Sequence, residues 1–176
     1  MQRIGDTYIA SNVVVTGDVV LSGGVNLWYG CVIRGDLARI TLGARVNVQD
    51  GTIIHTDTDA PQTIEEGVVV GHRALLHGTL IGRDTLIGMG AVLLSGTEIG
   101  AECVIAAGTL VTERRRIPPR SVVMGVPGKV VREVTDEDLR RTLTISAHYL
   151  EMAQRYVSGA FPPPWHRKVG RDEQPK

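Results

Sequence analysis

Aliphatic residues recur at every sixth position along most of this chain. The series runs through Ile9, Val15, Leu21, Leu27 and Ile33, resumes at Leu42, Val48 and Ile54, and again at Ile64, Val70 and Leu76. Its longest stretch is Ile81, Ile87, Leu93, Ile99, Ile105, Val111, Ile117 and Val123. A helix puts residues six apart on opposite sides and a strand has a period of two, so neither explains this spacing. A parallel β-helix does: each hexad supplies one short strand and one corner, with the aliphatic pointing inward. The glycines that follow, Gly43, Gly71, Gly82, Gly88 and Gly100, suit a tight backbone. Three hexads close a triangular coil of 18 residues. The expected fold is all-β, a parallel β-helix of hexapeptide repeats over residues 1–133.

Three slips interrupt the register: Ile33 to Leu42 is nine, Ile54 to Ile64 is ten, and Leu76 to Ile81 is five. Taken as hexads with inserted loops, the first two leave Ile33, Ile54 and Leu76 on the same face of successive coils. The residues that follow them are Arg34, His55 and His77. Coils stack at about 4.8 Å, so His55 and His77 are expected side by side, with Arg34 one layer below. His72 follows Val70 by two and points from another side of the prism. A symmetric trimer would bring His72 of one subunit to His55 and His77 of the next. Asn47 and Gln49, flanking Val48 on the His72 face, would approach the same place.

Three neutral imidazoles with an open position are the ligand set of a catalytic zinc, whereas structural sites are closed by a fourth ligand. A zinc held this way lowers the pKa of its water to about 7. Neither Cys31 nor Cys103 falls in the histidine column, and their separation gives no CxxC. Reduced thiols and a cytoplasmic protein are expected. Nineteen basic residues balance nineteen acidic ones, which argues against nucleic acid as a partner. No apolar run approaches about 18 residues, so no membrane span is expected.

The hexads, Arg34-Gly35-Asp36, Asn47-Val48-Gln49-Asp50, the three histidines and the VGHRALLHG run resemble the γ-class carbonic anhydrases over residues 4–157. The resemblance implies a left-handed β-helix and a homotrimer with Zn2+, or Fe2+ or Co2+, at each subunit junction. His55 and His77 would come from one subunit and His72 from its neighbour. It implies an ion pair of Arg34 with Asp36 across the junction, contacts from Gln49 and Asn47 to the metal-bound solvent, and Tyr149 near the site. The activity implied is reversible hydration of carbon dioxide to bicarbonate. The best-known active form carries a longer acidic loop with a glutamate proton shuttle. Here the loop is TDTDAPQTIEE, whose inserted part holds only Asp57 and Asp59. A non-catalytic metal-binding scaffold or assembly subunit is therefore the alternative, and a hexapeptide acyltransferase a third.

Beyond Val123 the pattern changes. Thr135 with Asp138 marks a helix start, and Leu139, Leu143, Ala147, Leu150, Ala153 and Val157 form its expected apolar stripe, buried on both sides and stopped at Gly159. The helix is placed at 134–158, packed on the prism or a subunit junction, and an extended or mobile tail at 159–176. His148 and His166 are assigned no site role, Glu113-Arg114-Arg115-Arg116 is a solvated corner, and Arg34 and Asp36 either hold the trimer together or act directly in catalysis, with Gln49, Asn47 and Tyr149, rather than forming an adhesion signal.

Overall fold

A computed structural model describes residues 1–163. The same aliphatics stack on one another from coil to coil. On one face Ile33 pairs with Ile54, Ile54 with Leu76 and Leu76 with Leu93. On the next, Leu42, Ile64, Ile81 and Ile99 stack in register. On the third, Leu27, Val48, Val70, Ile87 and Ile105 do so. All of these side chains are fully buried in one core. The chain is thus a parallel β-solenoid with one C-terminal helix, as the spacing requires.

The ends depart from the repeat. Val15 is 39% exposed, because the first coil has no coil beneath it to cover the inward position. Antiparallel strands close one face at both ends: Gln2–Ile4 pairs with Thr7–Ile9, and Lys129–Glu133 with Ser121–Met124. A second regularity lies two residues before each aliphatic. There the corner admits only modest side chains, and Cys31, Thr52, Ala74, Thr85, Ala91, Cys103 and Thr109 are buried. Both cysteines are free thiols. Burial pushes the Cys31 thiol up to about 11.

The first slip is not a loop. Strand Val32–Leu42 runs unbroken around a corner beside Val14–Leu21. Gly17 pairs with Gly35 and Val19 with Ile40, so Asp18 alone faces residues 36–39, a bulge. Two glycines permit this crossing. A Cβ on Gly35 would lie 2.6 Å from the Asp18 carbonyl oxygen, and one on Gly17, at φ +79°, 2.3 Å from that of Gly35. The second slip is a loop, with Asp57 bridged to Ala60.

The helix spans Asp136–Val157, with a complete Thr135–Asp138 capping box, a Ser158 C-cap and Gly159 beyond it at φ +80°. Arg132, then the Thr135 backbone, holds the Asp138 carboxyl well below the usual range. The buried face differs from the expected stripe. Thr142, Ser146 and Ala153 are buried, while Leu143 and Val157 are 44% and 39% exposed. The helix lies against strands Thr7–Ile9, Asn26–Leu27, Asn47–Val48 and Val69–Val70 on one side only. That outer surface carries Asn26, Asn47 and Trp28, so small, polar and aromatic residues suit it better than leucines. Trp28 meets Tyr149 and Tyr156 edge-on, at 5.2 and 5.3 Å between ring centroids. Tyr8, Tyr29 and Phe161 join the same seam. The rings are outside the prism, which has no room for them. Thr135→Ala is expected to lower stability by about 1 kcal/mol, read from the urea midpoint at unchanged slope.

Candidate metal centre

Two corners carry the polar side chains of interest. At the first, ladder pairing sets Arg34 beside His55, and Leu76 stacked on Ile54 delivers His77 to the next layer. His55 Nδ1 lies 3.1 Å from His77 Nε2. Arg34 Nη2 is 3.3 Å from the same His55 Nδ1, and Asp36 Oδ1 is 3.0 Å from His55 Nε2. Arginine can only donate, so His55 Nδ1 carries a lone pair and Nε2–H donates to Asp36. Arg34 and Asp36 pair within the chain at 2.5 Å. Arg34 and Asp36 are two apart in one strand and so share its outer face, which brings both to His55. The Arg34 guanidinium, and after it the His55 ring, holds the Asp36 carboxyl below the ordinary carboxylate range. His77 Nδ1 faces Ser95 Oγ at 3.1 Å and Asp57 Oδ2 at 3.5 Å.

The second corner holds His72 with Asp50 one coil below, since Val48 pairs with Val70 and each residue follows its aliphatic by two. Asp50 Oδ2 lies 2.9 Å from His72 Nδ1, and Asp50 Oδ1 accepts the Tyr29 backbone N–H at 3.2 Å. Tyr149 OH lies 3.2 Å from His72 Nε2, reaching across from the helix. Burial, then the Asp50 charge, raises the Tyr149 pKa, so the phenol stays a neutral donor at ordinary pH. Gln49, His72, Met89, Arg141, Ile145 and Tyr149 line part of a cavity of about 370 Å³ beside the helix.

Asn47 does not reach that cavity. It is fully buried beneath the helix, donating to Asn26 Oδ1 at 2.6 Å and accepting from Gln49 Nε2 at 3.0 Å. Trp28 Nε1 donates to the same Asn26 oxygen at 3.0 Å. An indole only donates, so it fixes the direction of the whole chain of amides. The Gln49 amide nitrogen is thereby committed to Asn47, and its Oε1 is the end left to accept. Asn47 therefore touches Gln49 and not the cavity.

The structure thus brings His55 and His77 together and keeps His72 at another corner. Among the described residues no three His, Cys, Asp or Glu side chains are grouped to hold a metal within one chain. His148 stands edge-on to Tyr149, 6.1 Å between centroids, and is exposed. His166 lies outside the described residues. Sequence reasoning assigned no role to Asp50, Ser95 or Trp28, and saw Asp57 only as a loop carboxylate. For Asp50 the signal was present: it stands to Val48 as His72 stands to Val70.

A family model described as bacterial transferase hexapeptide (six repeats) matches residues 78–113. A carbonic anhydrase of Geobacillus kaustophilus is 43% identical over 88% of this chain and 85% of its own length. Gamma carbonic anhydrase 2, mitochondrial, of Arabidopsis thaliana is 37% identical over 87% of this chain and 57% of its own. The chain belongs to the γ-class carbonic anhydrase-like family of hexapeptide-repeat proteins. A crystal structure of a Bacillus cereus protein, described as a candidate acetyltransferase, superimposes with a TM-score of 0.85 at 40% identity, covering 89% of this chain and 91% of that one. In this member of the family Arg34, Asp36, His55 and His77 share one of the two corners described above, and Asp50 and His72 the other. No helix among the described residues is long and apolar enough to cross a membrane.

Proposed function

We propose that the protein is a metal-dependent carbonic anhydrase that interconverts carbon dioxide and bicarbonate. In this reading it is a homotrimer of left-handed β-helices, with zinc held by His55 and His77 of one subunit and His72 of the next, and iron or cobalt as substitutes. The observation that carries it is the His55–His77 contact. Arg34 and Asp36 turn a lone pair of His55 toward His77 Nε2 at 3.1 Å. Two nitrogens each 2.0–2.1 Å from a tetrahedral zinc lie about 3.3 Å apart, so this spacing fits a shared cation. When bound, zinc supplies a Lewis acid that makes hydroxide available at neutral pH.

The chain's own residues supply the rest. Gln49 Oε1, aligned through Asn47, Asn26 and Trp28, offers an acceptor to a hydroxyl group. Tyr149 stays protonated and offers a donor beside His72. Asp36 is held ionised by Arg34 and keeps His55 oriented. Asp57, beside His77, stands where the loop brings a carboxylate closest to the column.

The short loop favours a second reading, a metal-binding scaffold without turnover. A hexapeptide acyltransferase would need a single histidine base and an acyl-donor groove, which the paired His55 and His77 do not resemble. Stopped-flow carbon dioxide hydration, run with zinc content and mass measured in parallel, separates these. A trimer with one zinc per chain and hydration well above buffer supports the enzyme. Stoichiometric metal with background hydration, after anaerobic as well as aerobic purification, would leave only the scaffold.

A further inference from the structure

A neutral imidazole has one N–H and one lone pair, so a histidine that binds a cation through one nitrogen must place its proton on the other. Acceptors on that second nitrogen decide the tautomer before any cation arrives. His77 has two on its Nδ1, the Ser95 hydroxyl at 3.1 Å and the Asp57 carboxylate at 3.5 Å. An ionised carboxylate accepts only, which favours Nδ1 as the donor, with the Nε2 lone pair toward His55, over the competing form in which His77 Nε2–H donates to the lone pair of His55 Nδ1. His72 has the same arrangement from a different source. Asp50 Oδ2 at 2.9 Å takes Nδ1, and its other oxygen is tied to the Tyr29 backbone N–H, so the carboxylate cannot rotate away freely. The lone pair then falls on His72 Nε2, where the Tyr149 hydroxyl lies at 3.2 Å.

We propose that Ser95 and Asp50 are positioning residues, which set His77 and His72 in the Nδ1–H tautomer and so present Nε2 of each ring as the metal-binding atom. This rests on the reading of these histidines as ligands. Ser95 belongs to the coil above His77, because Leu93 stacks on Leu76, and Asp50 to the coil below His72. Each histidine is therefore held by a neighbouring layer of the solenoid. The rigid ladder keeps Ser95 and Asp50 at a fixed height relative to the rings, and only Asp57 reaches its histidine from a loop. Tyr149 differs in sign. Its hydroxyl occupies the lone pair that Asp50 exposes, so it competes with a cation for His72.

The test measures tautomers and affinity separately. Long-range proton–nitrogen NMR on metal-free, nitrogen-labelled protein should show His72 and His77 as Nδ1–H; an Nε2–H signature at either ring overturns the proposal for it, whether or not zinc binds. Zinc affinity, measured by competition with a chromophoric chelator, should fall about 10- to 100-fold in Asp50→Leu and about tenfold in Ser95→Ala. Asp50→Asn and Ser95→Thr keep an acceptor and should recover most of that loss. Tyr149→Phe should bind zinc a few-fold more tightly. Wild-type affinity in both Ser95→Ala and Asp50→Leu, with melting temperatures unchanged, would refute the positioning role. So would an equal loss in the conservative variants. If the wild type binds no zinc while both rings show the Nδ1–H form, the ligand reading has failed and the tautomer assignment stands.

Discussion

Replacing His77 with alanine is expected to strip the protein of stoichiometric zinc and to reduce carbon dioxide hydration to background. Losing one of three imidazoles from a site whose binding energy is on the order of 10–16 kcal/mol should weaken affinity on the order of a hundred- to a thousandfold. His77 is partly exposed and outside the core, so the thermal transition should barely move. His72→Ala should lose metal as completely, although it stands at a different corner, because in the proposed trimer it would complete the neighbour's site. His148→Ala, one helical position from Tyr149 but without a polar partner in the centre, is the control and should retain metal. Elemental analysis of the purified variants decides the matter. Zinc retained at one per chain in His77→Ala would sink the proposed centre.

Leu76→Ala should damage the fold and the site together. Leu76 is fully buried, stacked between Ile54 and Leu93, and a leucine truncated in such a place costs about 2–5 kcal/mol. It also immediately precedes His77, so relaxation of the strand into the cavity moves the imbdazole ring away from His55. Ile99→Ala removes a side chain equally buried on another face, between Ile81 and Ile117, with no histidine beside it. Urea denaturation should give similar losses for the two variants. Zinc affinity, measured where both are fully folded, should fall only in Leu76→Ala. Equal affinities would mean that the column tolerates movement at its base.

The histidine column was legible because a solenoid is a ruler. When each coil returns to the same face, a residue's offset from the nearest inward aliphatic fixes both its corner and its height. Arg34, His55 and His77 were found in this way, and the same count places Asp50 under His72. The bulge at residues 36–39 was not legible. An insertion of three looks the same in sequence whether it leaves the strand or stays within it, and only the approach of Gly17 to Gly35 decides which. Asn47, for which the resemblance implies a contact to the metal-bound solvent, is within the chain a buried link bonded to Gln49 and Asn26. Its surroundings depend on the helix, nearly a hundred residues further on in the chain. Within one chain the helix buries Thr142, Ser146 and Ala153 rather than its leucines, because the solenoid face it covers bears amides and an indole.

The sequence by itself determined the parallel coil, the stacking register and the height of each candidate ligand. One inward side chain per hexad leaves a closed prism no other way to bury its aliphatics. Only the tertiary structure decided which way each polar group points and which nitrogen of each ring is free. That choice is made by donors and acceptors remote along the chain: Trp28 at the head of the amide series, Asp50 and Ser95 from adjoining coils, and Tyr149 from a helix 77 residues beyond His72. Hydrogen-bond direction is a property of the partners a side chain meets, and the partners are set by packing.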